Sequence, residues 1–292
     1  STRQKEGCKK VKIANQNPIT FQEDSFKTSL STKDLDSQLY PVLKDDVITG
    51  YFFNDGPESV MKYPPVLLMA GGFGTRLKPL TNKIPKPLVR LNKKPVIQYV
   101  IEEFKRQGFS SFYISVHHFS EQIIEFLGDG SNLGVKIAYL NESEPLGTGG
   151  CLTLLDDINT DLIVANSDVL TKLDYKTFYR QHLNNKYSVS ICVRDFSYQV
   201  PYGVVYGNEV AKKIVEKPTN QFLINSGIYI FSENAIHLIQ QNKTPFDMPH
   251  AVNMLIESNH EVGKYHLQDF WFDIGTINDL KKCEKLLEKI KF

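Results

Sequence analysis

The sequence predicts an α/β fold, a mostly parallel sheet with helices on both faces, and three observations carry that expectation. From Pro64 onward, apolar runs of strand length alternate with segments whose apolar residues recur at helical spacing. The first run, Pro65-Val-Leu-Leu-Met-Ala70, is free of charge, as a strand covered on both faces should be. It breaks into Gly71-Gly-Phe-Gly-Thr-Arg76, a glycine-rich loop at a strand's carboxyl end, where open α/β sheets bind their ligands.

The elements follow in order. Before Pro64, Asn17-Pro-Ile-Thr-Phe21 reads as a short strand. A polar, helix-like stretch comes next, then two strands, around Tyr40–Leu43 and Val47–Phe52, flanking the Asp45-Asp46 turn. Asn54-Asp-Gly-Pro57 is a turn-rich linker. Val66–Ala70 is the first strand of the main unit. Pro95–Gln107 is a helix, because Val96, Ile97, Val100, Ile101 and Phe104 share one face, and Gly108 closes it. Ser111–Val116 is a strand, Glu121–Leu127 a helix, Val135–Leu140 a strand, Leu152–Asp157 a helix and Leu162–Asn166 a strand. Ser188–Arg194, Tyr202–Tyr206, Lys212–Val215 and Asn225–Phe231 are β-rich. Thr276-Ile-Asn-Asp279 opens the last helix with a capping-box-like pair, and Lys281–Lys289 continues it with Leu286, Leu287 and Ile290 apolar.

Composition narrows the function classes. The chain has 292 residues, 41% of them hydrophobic and 23% charged, ordinary values for a globular protein with a substantial core. A net charge of +1 argues against a nucleic-acid partner held by counterion release. Cys8, Cys151, Cys192 and Cys283 form no Cys-x-x-Cys pair, so a reduced, cytoplasmic setting is expected. No apolar run reaches membrane-spanning length and no signal peptide is evident, so no membrane is expected as a partner. The chain opens on Ser rather than Met, and a processed or shortened chain is the expectation. No hexapeptide repeat follows the last helix, so no appended β-helix is expected.

The glycine loop has the chemistry of a phosphate cradle. Glycine lets backbone N–H groups approach an anion closely, Arg76 adds a planar fork of donors, and Lys86 is a second cation fixed between Pro85 and Pro87. A tight turn carrying a surface arginine is the blander reading. No Gly-Lys-Ser/Thr is present, which disfavours a P-loop and a kinase, and Leu77 leaves the dinucleotide glycine triplet incomplete. Asp168, just past an apolar strand, suits Mg²⁺ as well as it suits a turn. Asp273 before a helix reads equally as a cap. His117-His118 follows a strand with no ligand spacing around it and reads as a polar pair.

Gly72-Phe-Gly-Thr-Arg-Leu77 followed by Pro85-Lys-Pro87 resembles the signature of the sugar-phosphate nucleotidyltransferases, and further motifs recur in order to the C-terminus. The resemblance implies a Rossmann-like catalytic domain over residues 64–292 of the nucleotide-diphospho-sugar transferase type. It implies nucleotide contacts at Ala70, Gly71, Gly72, Gly74, Thr75, Glu142, Gly147 and Thr148. Arg76 would hold the β- and γ-phosphates and Lys86 the α-phosphate, while Asp168 and the Asp273 of Trp271-Phe-Asp-Ile-Gly-Thr276 would jointly bind Mg²⁺. Gly203, Glu216, Lys217 and Asn225 would bind the sugar phosphate. Residues 1–58 loosely resemble one repeat of a CBS module, whose partner repeat is expected upstream of residue 1. A small α/β cap or arm is the alternative.

Glu142-Ser-Glu-Pro-Leu-Gly-Thr148 bears on the base. A carboxylate only accepts hydrogen bonds, guanine offers N1–H beside its 2-amino group, and uracil or thymine presents one N–H between two carbonyls. Family members that use GTP commonly have Glu where Glu142 stands, and the segment resembles that of mannose-1-phosphate guanylyltransferases. The expected partners are therefore GTP and a hexose 1-phosphate (mannose or glucosamine), with a homo-oligomer possible. The alternatives are transfer from CTP, UTP or dTTP, base reading by Glu144 or a backbone group, and a nucleotide sensor with a degenerate transferase domain.

Overall fold

The computed structural model describes residues 21–22, 38–44, 47–54, 63–156, 158–242 and 245–289. The chain forms two compact units, Ser1–Lys62 and Tyr63–Phe292. In the first, β1 (Phe21–Gln22) runs parallel to β2 (Gln38–Lys44), which pairs antiparallel with β3 (Val47–Asn54). The helix-like stretch, the Asp45-Asp46 turn, the linker beyond Asn54 and most of the CBS-like reading lie outside the described residues.

The second unit begins with β4 (Val66–Met69) and two short strands, β5 (Arg90–Leu91) and β6 (Lys94–Pro95). Next come α1 (Val96–Arg106), β7 (Ser111–Val116), α2 (Ser120–Leu127), β8 (Lys136–Asn141) and the single turn α3 (Gly147–Gly150). β9 (Leu162–Asn166), β10 (Val169–Thr171) and α4 (Tyr175–Asn185) lead to β11 (Val189–Gln199). A hairpin of β12 (Val204–Tyr206) and β13 (Lys213–Val215) separates β11 from β14 (Thr219–Phe231). The chain closes with α5 (Glu233–Gln240), α6 (Met248–Glu257), β15 (Val262–His266), β16 (Trp271–Asp273) and α7 (Ile277–Leu287).

Seven strands make the main sheet in the order β15-β11-β14-β9-β4-β7-β8. All neighbours are parallel except the pairings of β14 with β11 and β9. The central strands are apolar without alternation because both faces are covered. Val66 and Leu68 join a core formed with α1, α4 and α7, whereas Leu67 points the opposite way into a core with α5 and α6. The predicted face of α1 is buried at all five of its positions.

Three expectations change in detail. Of the helix predicted over Leu152–Asp157 only a 3₁₀ turn, Cys151–Leu154, forms, directly after the short α3. The Leu152 and Leu155 carbonyls accept from the Gln240 side chain of the helix Glu233–Gln240. The strands read as 188–194 and 225–231 extend outward into a long antiparallel pair, β11 with β14, so Asn225 lies within a strand rather than opening one. The pattern predicted neither α4, α5 and α6 nor the strands β10, β15 and β16. At the last helix, Thr276 and Asp279 form the full reciprocal capping box.

His182 on α4 lies fully buried, with Nδ1 2.8 Å from Ser190 Oγ and Nε2 4.0 Å from Asp161. Burial lowers its pKa despite the opposing pull of Asp161. The unfolded chain therefore binds more protons as pH falls, and stability that is complete above about pH 6.5 declines below it. Denaturant unfolding should show lower stability near pH 5.5 than near pH 7.5, with the difference reduced in His182→Gln. An undiminished difference in that variant would place the acid sensitivity elsewhere.

Candidate active site

The site lies at the carboxyl ends of β4, β9 and β8. Beyond β4, the Ala70 N–H donates to Ser115 O at 3.0 Å, and the chain turns through Gly71–Gly74 into a 3₁₀ turn, Thr75–Leu77. Leu77 is fully buried and anchors the loop, leaving Arg76 exposed at its rim. Gly74 has φ +62, and a Cβ there would stand 2.9 Å from Lys86 Cβ, so glycine is required on both counts. That close approach packs the glycine loop directly on the Pro85-Lys-Pro87 segment.

Asp168 follows β9, and Ser167 Oγ donates to Met69 O at 2.7 Å, which ties the two strand ends together. The short ladder between β10 and β16 sets Val169 opposite Asp273, and the Ile274 N–H donates to Asp168 O at 3.1 Å. Sequence-distant carboxylates thus meet. Asp273 is the last residue of β16 and caps nothing, because Thr276 is the N-cap of α7. Its pKa is raised, first by burial and then by the charge of Asp168, while Lys86 and Arg76 act against the shift. Lys86 Nζ forms an ion pair with Asp168. A Cβ at Gly275 would lie 3.4 Å from Arg76 Nη1 and 3.5 Å from Asp273 Oδ2, so all four charged groups border one space.

Glu142 enters from the end of β8. Its N–H donates to Val116 O and its carbonyl accepts from His117 Nδ1, both at 2.9 Å, while Oε2 accepts from the Leu146 N–H at 3.3 Å. A Cβ at Gly71 would lie 2.9 Å from Glu142 Oε1, so this carboxylate is seated against the glycine loop. Glu144 is exposed and lines no cavity described here.

These residues enclose a cavity of about 410 Å³. Its lining includes Ala70, Gly71, Gly72, Gly74, Thr75, Arg76, Lys86, Glu142, Gly147, Thr148 and Asp168, the whole of the expected nucleotide and phosphate set. A second cavity of about 340 Å³ shares Met69, Thr148 and Asn166 with the first and is lined by Asn225, Asp273, Trp271 and Tyr229. Gly203, Glu216 and Lys217 line neither. They sit together on the exposed β12–β13 hairpin, where a Cβ at Gly203 would lie 3.0 Å from Glu216 Oε2 and the Lys217 N–H donates to Tyr202 O. Among the described residues, no three His, Cys, Asp or Glu side chains gather to hold a metal ion. Two carboxylates beside an anion cradle suit Mg²⁺, which usually takes its remaining ligands from phosphate and water.

Residues 65–290 match the family model described as nucleotidyl transferase. The chain belongs to this family. The match begins beyond the N-terminal unit. Probable mannose-1-phosphate guanylyltransferase 1 of Oryza sativa subsp. japonica is 34% identical over 225 residues, covering 73% of this chain and 62% of that protein. Mannose-1-phosphate guanyltransferase of Saccharomyces cerevisiae is 32% identical with the same coverage, so this chain spans under two thirds of either relative. Among solved structures, HddC from Yersinia pseudotuberculosis complexed with GMP-PN superposes with a TM-score of 0.60 at 29% identity, over 77% of this chain and all of that one. A putative glucose-1-phosphate thymidylyltransferase from Bacillus anthracis, at 22% identity and a TM-score of 0.65 over 79% of this chain and 97% of that one, shares the fold.

Sequence reading of this nucleotidyl transferase missed Asn166, whose amide packs on Gly227, and Asp247, which no motif around it marks. Trp271 stood in a quoted motif without a role of its own. Gly147, which lines the first cavity, has φ +78 and a would-be Cβ 2.5 Å from Phe246 O. Gly147→Ala should destabilise the protein by about 1–3 kcal/mol from backbone strain alone. Gly72→Ala, with nothing within 4 Å of its Cβ, should leave stability nearly unchanged. Denaturant unfolding of both variants checks the pair, and equal stability would show the α3 turn free to relax.

Proposed function

We propose that this chain catalyses Mg²⁺-dependent transfer of GMP from GTP to a hexose 1-phosphate, giving GDP-hexose and pyrophosphate. The observation that carries the reading is the pair of adjoining cavities with Asp168 and Asp273 between a phosphate cradle and a second, aromatic-walled space. A phosphate oxygen of the sugar phosphate attacks the α-phosphorus while the bond to the pyrophosphate oxygen breaks in line. No covalent enzyme intermediate is required, so the protein contributes positioning and charge neutralisation.

In this reading the Gly71–Thr75 backbone and Arg76 hold the β- and γ-phosphates and stabilise the departing pyrophosphate. Lys86 exchanges Asp168 for the α-phosphate when nucleotide enters. Asp168 and Asp273 would hold a divalent cation, which would supply neutralising charge to the phosphates. Asn225 and Glu216 bond hydroxyls of the sugar, the Gly203 N–H faces the sugar, and Lys217 contacts its phosphate. Mannose 1-phosphate is the first substrate to test, given the relatives' names, and glucosamine 1-phosphate the second. Three buried free cysteines, Cys151, Cys192 and Cys283, suit the cytoplasmic setting we propose. Among the described residues no helix is long and apolar enough to cross a membrane.

Glu142 is assigned to the guanine N1–H and 2-amino donors. Glu142→Gln places one donor against another and should reduce the preference for GTP over UTP by about one to two orders of magnitude in kcat/KM, since a bidentate base contact is worth roughly 1–3 kcal/mol. Pyrophosphate release measured with each nucleoside triphosphate and a panel of sugar 1-phosphates checks this. A wild-type preference for UTP, dTTP or ATP would refute the guanine assignment, and one for CTP would put Glu142 on cytosine's 4-amino group.

A further inference from the structure

Asp247 stands at the N-cap position of α6, where an aspartate ordinarily accepts from the first N–H groups of its own helix, yet its side chain makes no such cap. Its Oδ1 instead reaches Thr148, accepting from the Thr148 N–H at 3.0 Å and from Thr148 Oγ1 at 3.2 Å. Thr148 Oγ1 in turn accepts from the Met248 N–H at 2.9 Å. The cap of α6 is thereby supplied by a residue about a hundred positions earlier in the chain, and Asp247 holds that residue in place.

The same seam continues along the backbone. Phe246 N–H donates to Leu146 O at 2.9 Å, and Phe246 O accepts from the N–H groups of Gly149 and Gly150. The fit allows only glycine on the facing side, since a Cβ at Gly149 would lie 2.6 Å from the Phe246 ring. Asp247 and Thr148 both line the first cavity, while Thr148 and Met248 line the second. Within this turn, the Leu146 N–H is the group bonded to Glu142 Oε2. Asp247 is thus bonded to the same turn whose Leu146 N–H holds the Glu142 carboxylate.

We infer that Asp247 is a positioning residue for nucleotide recognition: its carboxylate locks the Leu146–Gly150 turn against α6 so that Glu142 and the Thr148 N–H meet the nucleotide in one fixed register. This rests on the proposal that the first cavity receives the nucleotide. The consequence falls on base selectivity and nucleotide affinity rather than on the sugar phosphate, because the turn is tied to Glu142. An asparagine at 247 keeps an oxygen that can accept both Thr148 bonds, whereas an alanine keeps none.

The test compares wild type, Asp247→Ala and Asp247→Asn by three readouts: calorimetric affinity for GTP and UTP, the KM of each substrate, and amide hydrogen exchange across 146–150. Asp247→Ala should weaken GTP by about tenfold or more, as loss of hydrogen bonds to a charged group implies. It should also narrow the GTP-over-UTP preference, leave the KM for the sugar phosphate within about twofold and speed exchange of the Thr148, Gly149 and Gly150 amides. Asp247→Asn should restore selectivity and protection. Unchanged GTP affinity and preference in Asp247→Ala would overturn the inference, as would equal damage in both variants, which would mean the charge itself meets the ligand. A wild type that binds GTP but releases no pyrophosphate would sink the proposed function while affinity and exchange still judge Asp247. A wild type that binds no nucleotide would overturn both.

Discussion

Two carboxylates held close together at the end of a buried strand constrain everything around them. Asp168 sits where β9 leaves the sheet, and the β10–β16 ladder delivers Asp273 beside it from more than a hundred residues away. Burial and then the charge of Asp168 raise the pKa of Asp273. The fold answers with cations from the opposite wall, Lys86 in direct contact with Asp168 and Arg76 beside Gly275. Gly74 lets the glycine loop lie directly on Lys86. The acids, the glycine loop and the Pro-Lys-Pro segment are therefore one electrostatic unit.

That unit sits at the edge of a sheet whose rigidity comes from two-sided burial. Val66, Leu67 and Leu68 are fully excluded from solvent, as are Leu162, Ile163 and Val164 on the neighbouring strand. Side chains of adjacent residues enter cores on opposite faces, so a shift of either strand end would disturb both cores at once. The less constrained parts are peripheral. The β12–β13 hairpin exposes Tyr202, Val205 and Ile214 and keeps Gly203, Glu216 and Lys217 outside both cavities. In the proposed reaction this hairpin is the part that must come to the substrate.

Local pattern was legible where the physics is local. Charge-free runs gave β4 and β9, the 3.6-residue face gave α1, and Thr276 with Asp279 gave the start of α7. The helices α4, α5 and α6 escaped because their burial depends on which strand they cover. Leu152–Asp157 read as a helix, but only the 3₁₀ turn Cys151–Leu154 forms there, behind a glycine turn held by the Phe246 carbonyl, a partner about a hundred residues distant. The candidate site was legible through its charged and glycine residues, each of which carries chemistry in its type. Asp247 was not, since no motif surrounds it and its partner Thr148 lies about a hundred residues earlier. Asp273 read equally as a cap, and the ladder that sets it opposite Val169 separates the two readings.

The central claim is that Asp168 and Asp273 act together on a divalent cation. Its most direct test is pyrophosphate release from GTP and mannose 1-phosphate as a function of Mg²⁺ concentration, for wild type, Asp168→Asn and Asp273→Asn. The account predicts no release in excess chelator, and in both variants a loss of most turnover with the half-saturating Mg²⁺ concentration moved upward, because an amide is a poor ligand for this cation. Full wild-type turnover in chelator, or near-normal turnover of either variant at low Mg²⁺, would contradict it.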